Sequence, residues 1–211
     1  MRPVSKVNLA YSHDLHVSEA LNLEEYPVRL DEEDQKRILH AVREIVESYV
    51  SRGTYRSDLF NWLPTVTCGV FVTINKNGML RGCIGFPEAY YPIGEALVKA
   101  SIYAATEDPR FPPVNPGELK DLDYEVTVLG KPVPVDPMSV SSELRIGKHG
   151  LIVERGYSRG LLLPQVAKEY HMTPLEFLEA TCEKAGLPPD AWRMKGTRVY
   201  MFPGYSFSEP S

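Results

Sequence analysis

The stretch Val66-Thr67-Cys68-Gly69-Val70-Phe71-Val72-Thr73-Ile74-Asn75-Lys76-Asn77-Gly78-Met79-Leu80-Arg81-Gly82-Cys83-Ile84-Gly85-Phe86 decides the class of fold. Two runs rich in apolar and β-branched residues flank Asn77-Gly78. Both positions of a tight hairpin turn need positive φ, which Asn and Gly adopt at little cost. The pattern predicts a strand over Val66–Asn75, a two-residue turn, and a strand over Met79–Phe86. Successive strand side chains point to opposite faces. Leu80, Ile84 and Phe86 therefore share a core-facing side, and Arg81 and Cys83 share the other. A hairpin gives antiparallel pairing without a helical crossover.

Working outward, Asp31 reads as the N-cap of a helix over Glu32–Ser51 that Gly53 terminates. Ile38, Leu39, Val42, Ile45, Val46, Tyr49 and Val50 fall on one helical stripe. Pro92 suits the first turn of a helix running to Ala105. Tyr124–Leu129 alternates as a strand. Lys131–Pro137 holds three prolines and reads as a connection between lobes. Leu151–Glu154 and Arg159–Leu163 flank a turn at Gly156. Pro164 opens a short helix, Thr173 caps another that ends at Gly186, and Arg198–Phe202 closes the chain as a strand. Hairpins interrupted by separate helices predict an α+β fold: two lobes, antiparallel sheets with helices packed on one face, and a cleft between the lobes. The expected division is an N-terminal arm (residues 1–29), a larger lobe (30–78 with 132–211) and a smaller lobe (79–131). His13 and His16 in the arm are expected to face solvent.

The 211 residues are 43% apolar and 24% charged, with net charge −5. An acidic balance disfavours nucleic-acid binding, because phosphate neutralisation needs a basic excess. No apolar run approaches the roughly 20 residues that cross a bilayer. Cys68, Cys83 and Cys182 are odd in number and widely spaced. They encode neither a disulfide framework nor a Cys-x-x-Cys metal pair. Reduced thiols and the lack of a secretory pattern point to the cytoplasm. No phosphate-loop or dinucleotide fingerprint occurs, so no cofactor and no metal are expected.

Chemistry concentrates around Leu80-Arg81-Gly82-Cys83-Ile84-Gly85. An arginine beside a thiol favours the thiolate. Gly82 and Gly85 suit a place where a ligand or another backbone approaches closely. The same residues also read as packing, since cysteine is often a small buried apolar group. Gly147-Lys148-His149-Gly150 offers a base or acid near neutral pH, and a Cys–His pair within reach would be an activated nucleophile. The other reading, and the one the residues favour, is a turn between strands with a solvated His and Lys. Arg110, in Glu107-Asp108-Pro109-Arg110-Phe111, and Arg159, before Gly160, are candidate anion binders with a local ion pair as the other reading.

Leu80-Arg81-Gly82-Cys83-Ile84-Gly85 resembles the signature hexapeptide of the AMMECR family. Asp108-Pro109-Arg110-Phe111-Pro112-Pro113, Gly147-Lys148-His149-Gly150-Leu151 and Leu161-Leu162-Leu163-Pro164-Gln165-Val166-Ala167 resemble its next three motifs in order. Phe177-Leu178 through Cys182, Ala185-Gly186-Leu187-Pro188 and Trp192 follow its C-terminal pattern. Phe86-Pro87 and Tyr91-Pro92 are similar to archaeal members. The resemblance covers about Leu30 to Phe202. It implies two α+β lobes with the hexapeptide facing the cleft, and association with Memo-type and radical SAM proteins. It supplies no reaction.

Two functions fit these residues. In the first, Cys83 is the nucleophile of a group-transfer or hydrolytic enzyme acting on a small molecule or protein, Arg81 favours its thiolate, and His149 is base or acid. Gly82, Gly85, Arg110, Lys148 and Arg159 then hold the ligand. In the second, the cleft is a non-catalytic module that binds a ligand, peptide or partner protein.

Overall fold

The computed structural model describes residues 26–209. Most of the expected arm, with His13 and His16, lies outside them. The hairpin forms as read: β1 (Val70–Lys76) and β2 (Met79–Phe86) pair antiparallel, and Asn77 and Gly78 take φ of 53° and 75°. The first strand starts later than expected, and Thr67 makes only an isolated bridge to Pro92. Pairing slips between Ile74 and Asn75, so Asn75 opposes Leu80 while Ile74 opposes Gly82. Arg81 is thus the extra residue of a bulge, which breaks strict alternation. Leu80 does not reach the core as alternation requires; it is 43% exposed.

The remaining strands are β3 (Leu122–Leu129), β4 (Val133–Val135), β5 (His149–Arg155), β6 (Ser158–Leu162) and β7 (Arg198–Ser208). They join one sheet in the order β2-β1-β3-β7-β5-β6, with β4 beside β7. Every pairing is antiparallel. Strand β7 runs past its expected end at Phe202. Pro203 and Gly204 look like breakers, yet Pro203 pairs with His149 and Gly204 with Leu129.

The helices are α1 (Glu32–Arg52), α2 (Ile93–Thr106), α3 (Val140–Glu143), α4 (Pro164–Glu169) and α5 (Pro174–Lys184). Asp31 and Asp34 form a capping box at the start of α1, and Gly53 ends it in the left-handed region; such a cap contributes about 1 kcal/mol. Pro92 is the N-cap of α2 rather than its first residue.

Burial divides into two main cores. Ile38, Val42 and Ile45 of α1 and Leu97 and Ala100 of α2 pack on Val70, Val72, Val126 and Val128. Val140 and Phe177 pack with Leu151, Val153 and Met201. The first core draws on residues 28–128 and Phe207, the second on 140–201. The expected boundary at residue 78 would cut the hairpin, whose strands share the first core because they are paired along their length.

A third, smaller cluster covers the other face of the sheet. Leu129, Ile152 and Phe202 are buried there, with Phe71 and Leu161 packed against them. Phe71 is on β1 and Leu161 on β6, with β3, β7 and β5 between them. A flat sheet would hold these side chains roughly 19 Å apart, at about 4.8 Å per strand. The two ends of the sheet nonetheless approach: Arg159 of β6 forms an ion pair with Glu88, just past β2, which requires the sheet to curl. Among the described residues, no helix is long and apolar enough to cross a membrane.

Candidate functional site

Register sets the site. Cys83 opposes Thr73, Thr73 opposes Glu125, and Glu125 opposes Ser208. Val72 and Ile74, on either side of Thr73, enter the first core. Thr73 and its row therefore lie on the face away from α1 and α2, the face that carries Phe71. The Thr73 hydroxyl donates to Cys83 Sγ at 3.2 Å. Cys83 is partly exposed, whereas Cys68 and Cys182 are buried.

Five influences meet at the Cys83 thiol. Burial raises its pKa most; the Thr73 hydrogen bond and Arg110 oppose this, while Asp108 and Glu125 add to it. Glu125 is also pushed upward, first by burial and then by Glu169 of α4. A thiol and a carboxyl therefore share one row, and both disfavour their charged forms.

Asp108 anchors the loop after α2 to this row. It is 5% exposed. Its Oδ2 accepts the Cys83 main-chain N–H at 2.8 Å and Arg110 Nη2 at 2.7 Å. Its Oδ1 accepts the N–H and Nε of Arg110. The Arg110 hydrogen bonds, ahead of all else, hold the Asp108 carboxyl well below the usual carboxylate range. β2 is an edge strand, and Asp108 takes the outward N–H that a further strand would need.

Arg81 does not serve the thiol. The bulge turns it to Glu118, which accepts Nε and Nη2 at 3.0 Å each, and Nη1 donates to the Pro112 carbonyl. Lys76 Nζ meets Glu118 Oε1 at 2.9 Å. Arg81 and then Lys76 hold the Glu118 carboxyl down to about 2. The guanidinium that acts on Cys83 is Arg110.

Gly82 and Gly85 are bare because protein fills the space. A Cβ on Gly82 would lie 2.1 Å from the Ala104 carbonyl oxygen at the end of α2. One on Gly85 would lie 2.2 Å from the Val70 carbonyl oxygen and 2.5 Å from the Phe71 ring. The close approach expected at these glycines is made by a helix end and a cross-strand neighbour.

His149 is not brought to Cys83. Leu151 and Val153, of the same parity on β5, face the second core, while Ile152 shares the face of Phe71. His149 thus lies on the opposite side of the sheet, 4% exposed, with Nδ1 accepting the Arg145 N–H at 3.1 Å. It lines a cavity of about 580 Å³ with Lys148, Pro203 and Tyr205. Lys148 is exposed on that side. Arg159 binds Glu154 at 3.0 Å as well as Glu88. Among the described residues, no group of three or more His, Cys, Asp or Glu can hold a metal ion.

Thr73 and Glu125 are the members that sequence reading passed over as site residues; Asp108 lies in the Glu107–Phe111 stretch already singled out there. The period-2 pattern of Tyr124–Leu129 put Glu125 opposite in facing to Tyr124 and Val126. Only the pairing of β1 with β3 brings it beside Thr73.

These elements define a mixed helix-and-strand protein on a curled antiparallel sheet, with a thiol, a hydroxyl and a carboxylate in one cross-strand row. The AMMECR1 family profile matches residues 38–207, and the chain belongs to that family. It is 48% identical over 186 residues to a protein of Methanothermobacter thermautotrophicus, spanning 85% of this chain and 96% of that one. A Thermococcus kodakarensis protein is 50% identical over 148 residues, 67% of this chain and 72% of its own. The crystal structure of an uncharacterised protein from Pyrococcus horikoshii is similar at a TM-score of 0.77 and 42% identity, covering 85% of this chain and 93% of that chain.

Proposed function

We propose that this protein is a cysteine-dependent enzyme of group transfer or hydrolysis, acting on a small molecule or protein at the face that carries Cys83. The observation that supports this reading is the Thr73 hydroxyl donating to Sγ of Cys83, the one of the three cysteines that is not a fully buried residue. Cys83 attacks an acyl carbon and loses its proton; the bond to the leaving group breaks with its electron pair, leaving a thioester. Water or a second acceptor then cleaves the thioester and restores the thiol. Thr73 and Arg110 stabilise the developing thiolate. Burial keeps the thiol neutral at rest.

A second reading, a non-catalytic module for a ligand or for Memo-type and radical SAM partner proteins, draws on that same neutrality. Treatment of the folded protein with iodoacetamide near pH 8, followed by peptide mass mapping, separates the two. The enzyme reading expects selective modification of Cys83 over Cys68 and Cys182, because the latter two are buried. A Cys83 that stays as unmodified as those two, with partner binding kept in Cys83→Ser, replaces it by the module.

A further inference from the structure

We infer that Glu125 takes the thiol proton as Cys83 attacks, with the Thr73 hydroxyl or one water in its position carrying the proton between them. This rests on the nucleophilic reading of Cys83 given above.

The geometry leaves few other acceptors. Thr73 is the direct cross-strand neighbour of both residues. Cβ atoms of such pairs lie about 4.5–5.5 Å apart, so Thr73 bridges a gap that Cys83 and Glu125 do not span directly. At rest the Thr73 hydroxyl donates to Sγ; as the thiol proton leaves, the hydroxyl turns to accept it and donates its own proton to the Glu125 carboxylate one strand away. Of the other acids, Asp108 and Glu118 are already engaged, and Glu169 acts on Glu125 but is not among the charges that act on the thiol. Both Asp108 oxygens accept hydrogen bonds from Cys83 and Arg110. Glu118 is held by Arg81 and Lys76. His149 is on the opposite face. Among the described residues, no hydrogen bond or ion pair holds the Glu125 carboxylate. The charged groups acting on the pair are Arg110 and Asp108 from the loop after α2 and Glu169 from α4. Burial and Glu169 raise the Glu125 carboxyl, which makes it a stronger base than an exposed glutamate.

The step balances without a further reagent. With p-nitrophenyl acetate as the probe, the sulfur–carbon bond forms and the ester carbon–oxygen bond breaks. p-Nitrophenolate leaves with the electron pair, and the thiol proton ends on Glu125, which returns it to water.

The test turns on a sign. As a mere neighbouring negative charge, Glu125 raises the thiol pKa, so Glu125→Gln would speed acylation at neutral pH. As proton acceptor, its loss slows acylation, since general bases commonly contribute about 100-fold or more. The burst of p-nitrophenolate at pH 7 is measured for wild type, Cys83→Ser, Glu125→Gln and Glu125→Asp, with acetylation of Cys83 followed by mass spectrometry. The proposal expects at least about a ten-fold slower burst in Glu125→Gln, partial recovery in Glu125→Asp, and loss of the wild-type solvent deuterium effect in Glu125→Gln. A burst in Glu125→Gln equal to or faster than wild type overturns the role of Glu125 while leaving Cys83 as nucleophile. No Cys83-dependent burst in the wild type overturns the nucleophile, and the role of Glu125 with it.

Discussion

The Asp108 carboxylate accepts the main-chain N–H of Cys83 at 2.8 Å, across 25 residues of chain. One buried acid thereby fixes the loop after α2 against an edge strand and sets the main chain beside the thiol. Replacing Asp108 by Asn keeps the shape and removes the charge. One amide hydrogen then faces a donor that needs an acceptor. Hydrogen bonds to charged groups are each worth about 1.5–3 kcal/mol, so Asp108→Asn is expected to cost about 2 kcal/mol or more in urea unfolding. Because the carboxyl is held below its usual range, its contribution is full above about pH 4 and is lost as pH falls below that. The difference between wild type and Asp108→Asn should therefore shrink in acid.

The two glycine classes of the hairpin separate packing from backbone conformation. At Gly82 a methyl group meets the Ala104 carbonyl at 2.1 Å, a main-chain atom that cannot turn aside. At Gly78 a methyl group meets nothing within 4 Å, and only φ of 75° opposes it. Left-handed conformation costs about 1–2 kcal/mol; overpacking costs about 1–3 kcal/mol and reaches the upper end where, as here, the clash is with main chain that cannot turn aside. Gly82→Ala should lower the thermal midpoint beyond Gly78→Ala.

Local signals carried far in this chain. Asn77-Gly78 specified the turn, Asp31 and Thr173 specified helix starts, and the hydrophobic stripe of α1 specified its buried face. All of these depend on neighbours within a few residues. What escaped depended on partners distant in sequence. The bulge at Arg81 arises from slippage against β1, and it reverses the facing of Leu80 and sends Arg81 to Glu118. The extension of β7 through Pro203 and Gly204 is possible because Pro203 needs no donor there and Pro164 and Leu129 close over Gly204. The pairing of Cys83 with Glu125 through Thr73 requires the order of three strands, which no window of sequence contains. Cys83 was legible as the centre because its flanking residues were unusual. The pairing of His149 with it rested on chemistry alone, and the sheet separates them.

Cys68 offers a test of buried-thiol linkage away from the site. It is 3% exposed, and burial pushes its thiol up to about 11. An unfolded cysteine ionises near about 8.5. The raised value means stability is fully present below that pH and is lost as pH rises toward 11. Within this window the single group gives a slope of about 1.4 kcal/mol per pH unit. Cys68→Ala loses packing and should be less stable than wild type at pH 7. Denaturation at rising pH should bring the two together as this slope acts on wild type alone.

Arg81 and Arg110 flank one aromatic ring, with guanidinium carbons 5.9 and 5.5 Å from the Phe111 centroid, yet they serve different ends. Arg81 is engaged by both Glu118 oxygens, and its charge is not among those acting on the thiol. Arg110 lowers the thiol pKa directly. Arg81→Lys keeps a charge but loses the two-pronged grip, which lysine cannot reproduce. It is expected to cost about 1–2 kcal/mol of stability and to leave the alkylation rate of Cys83 unchanged. Arg110→Gln removes the nearest cation and should move the alkylation pH profile upward. If Arg81→Lys shifted that profile and Arg110→Gln did not, the sulfur would answer to its neighbour in sequence, and the bulge that turns Arg81 toward Glu118 would not describe the protein in solution.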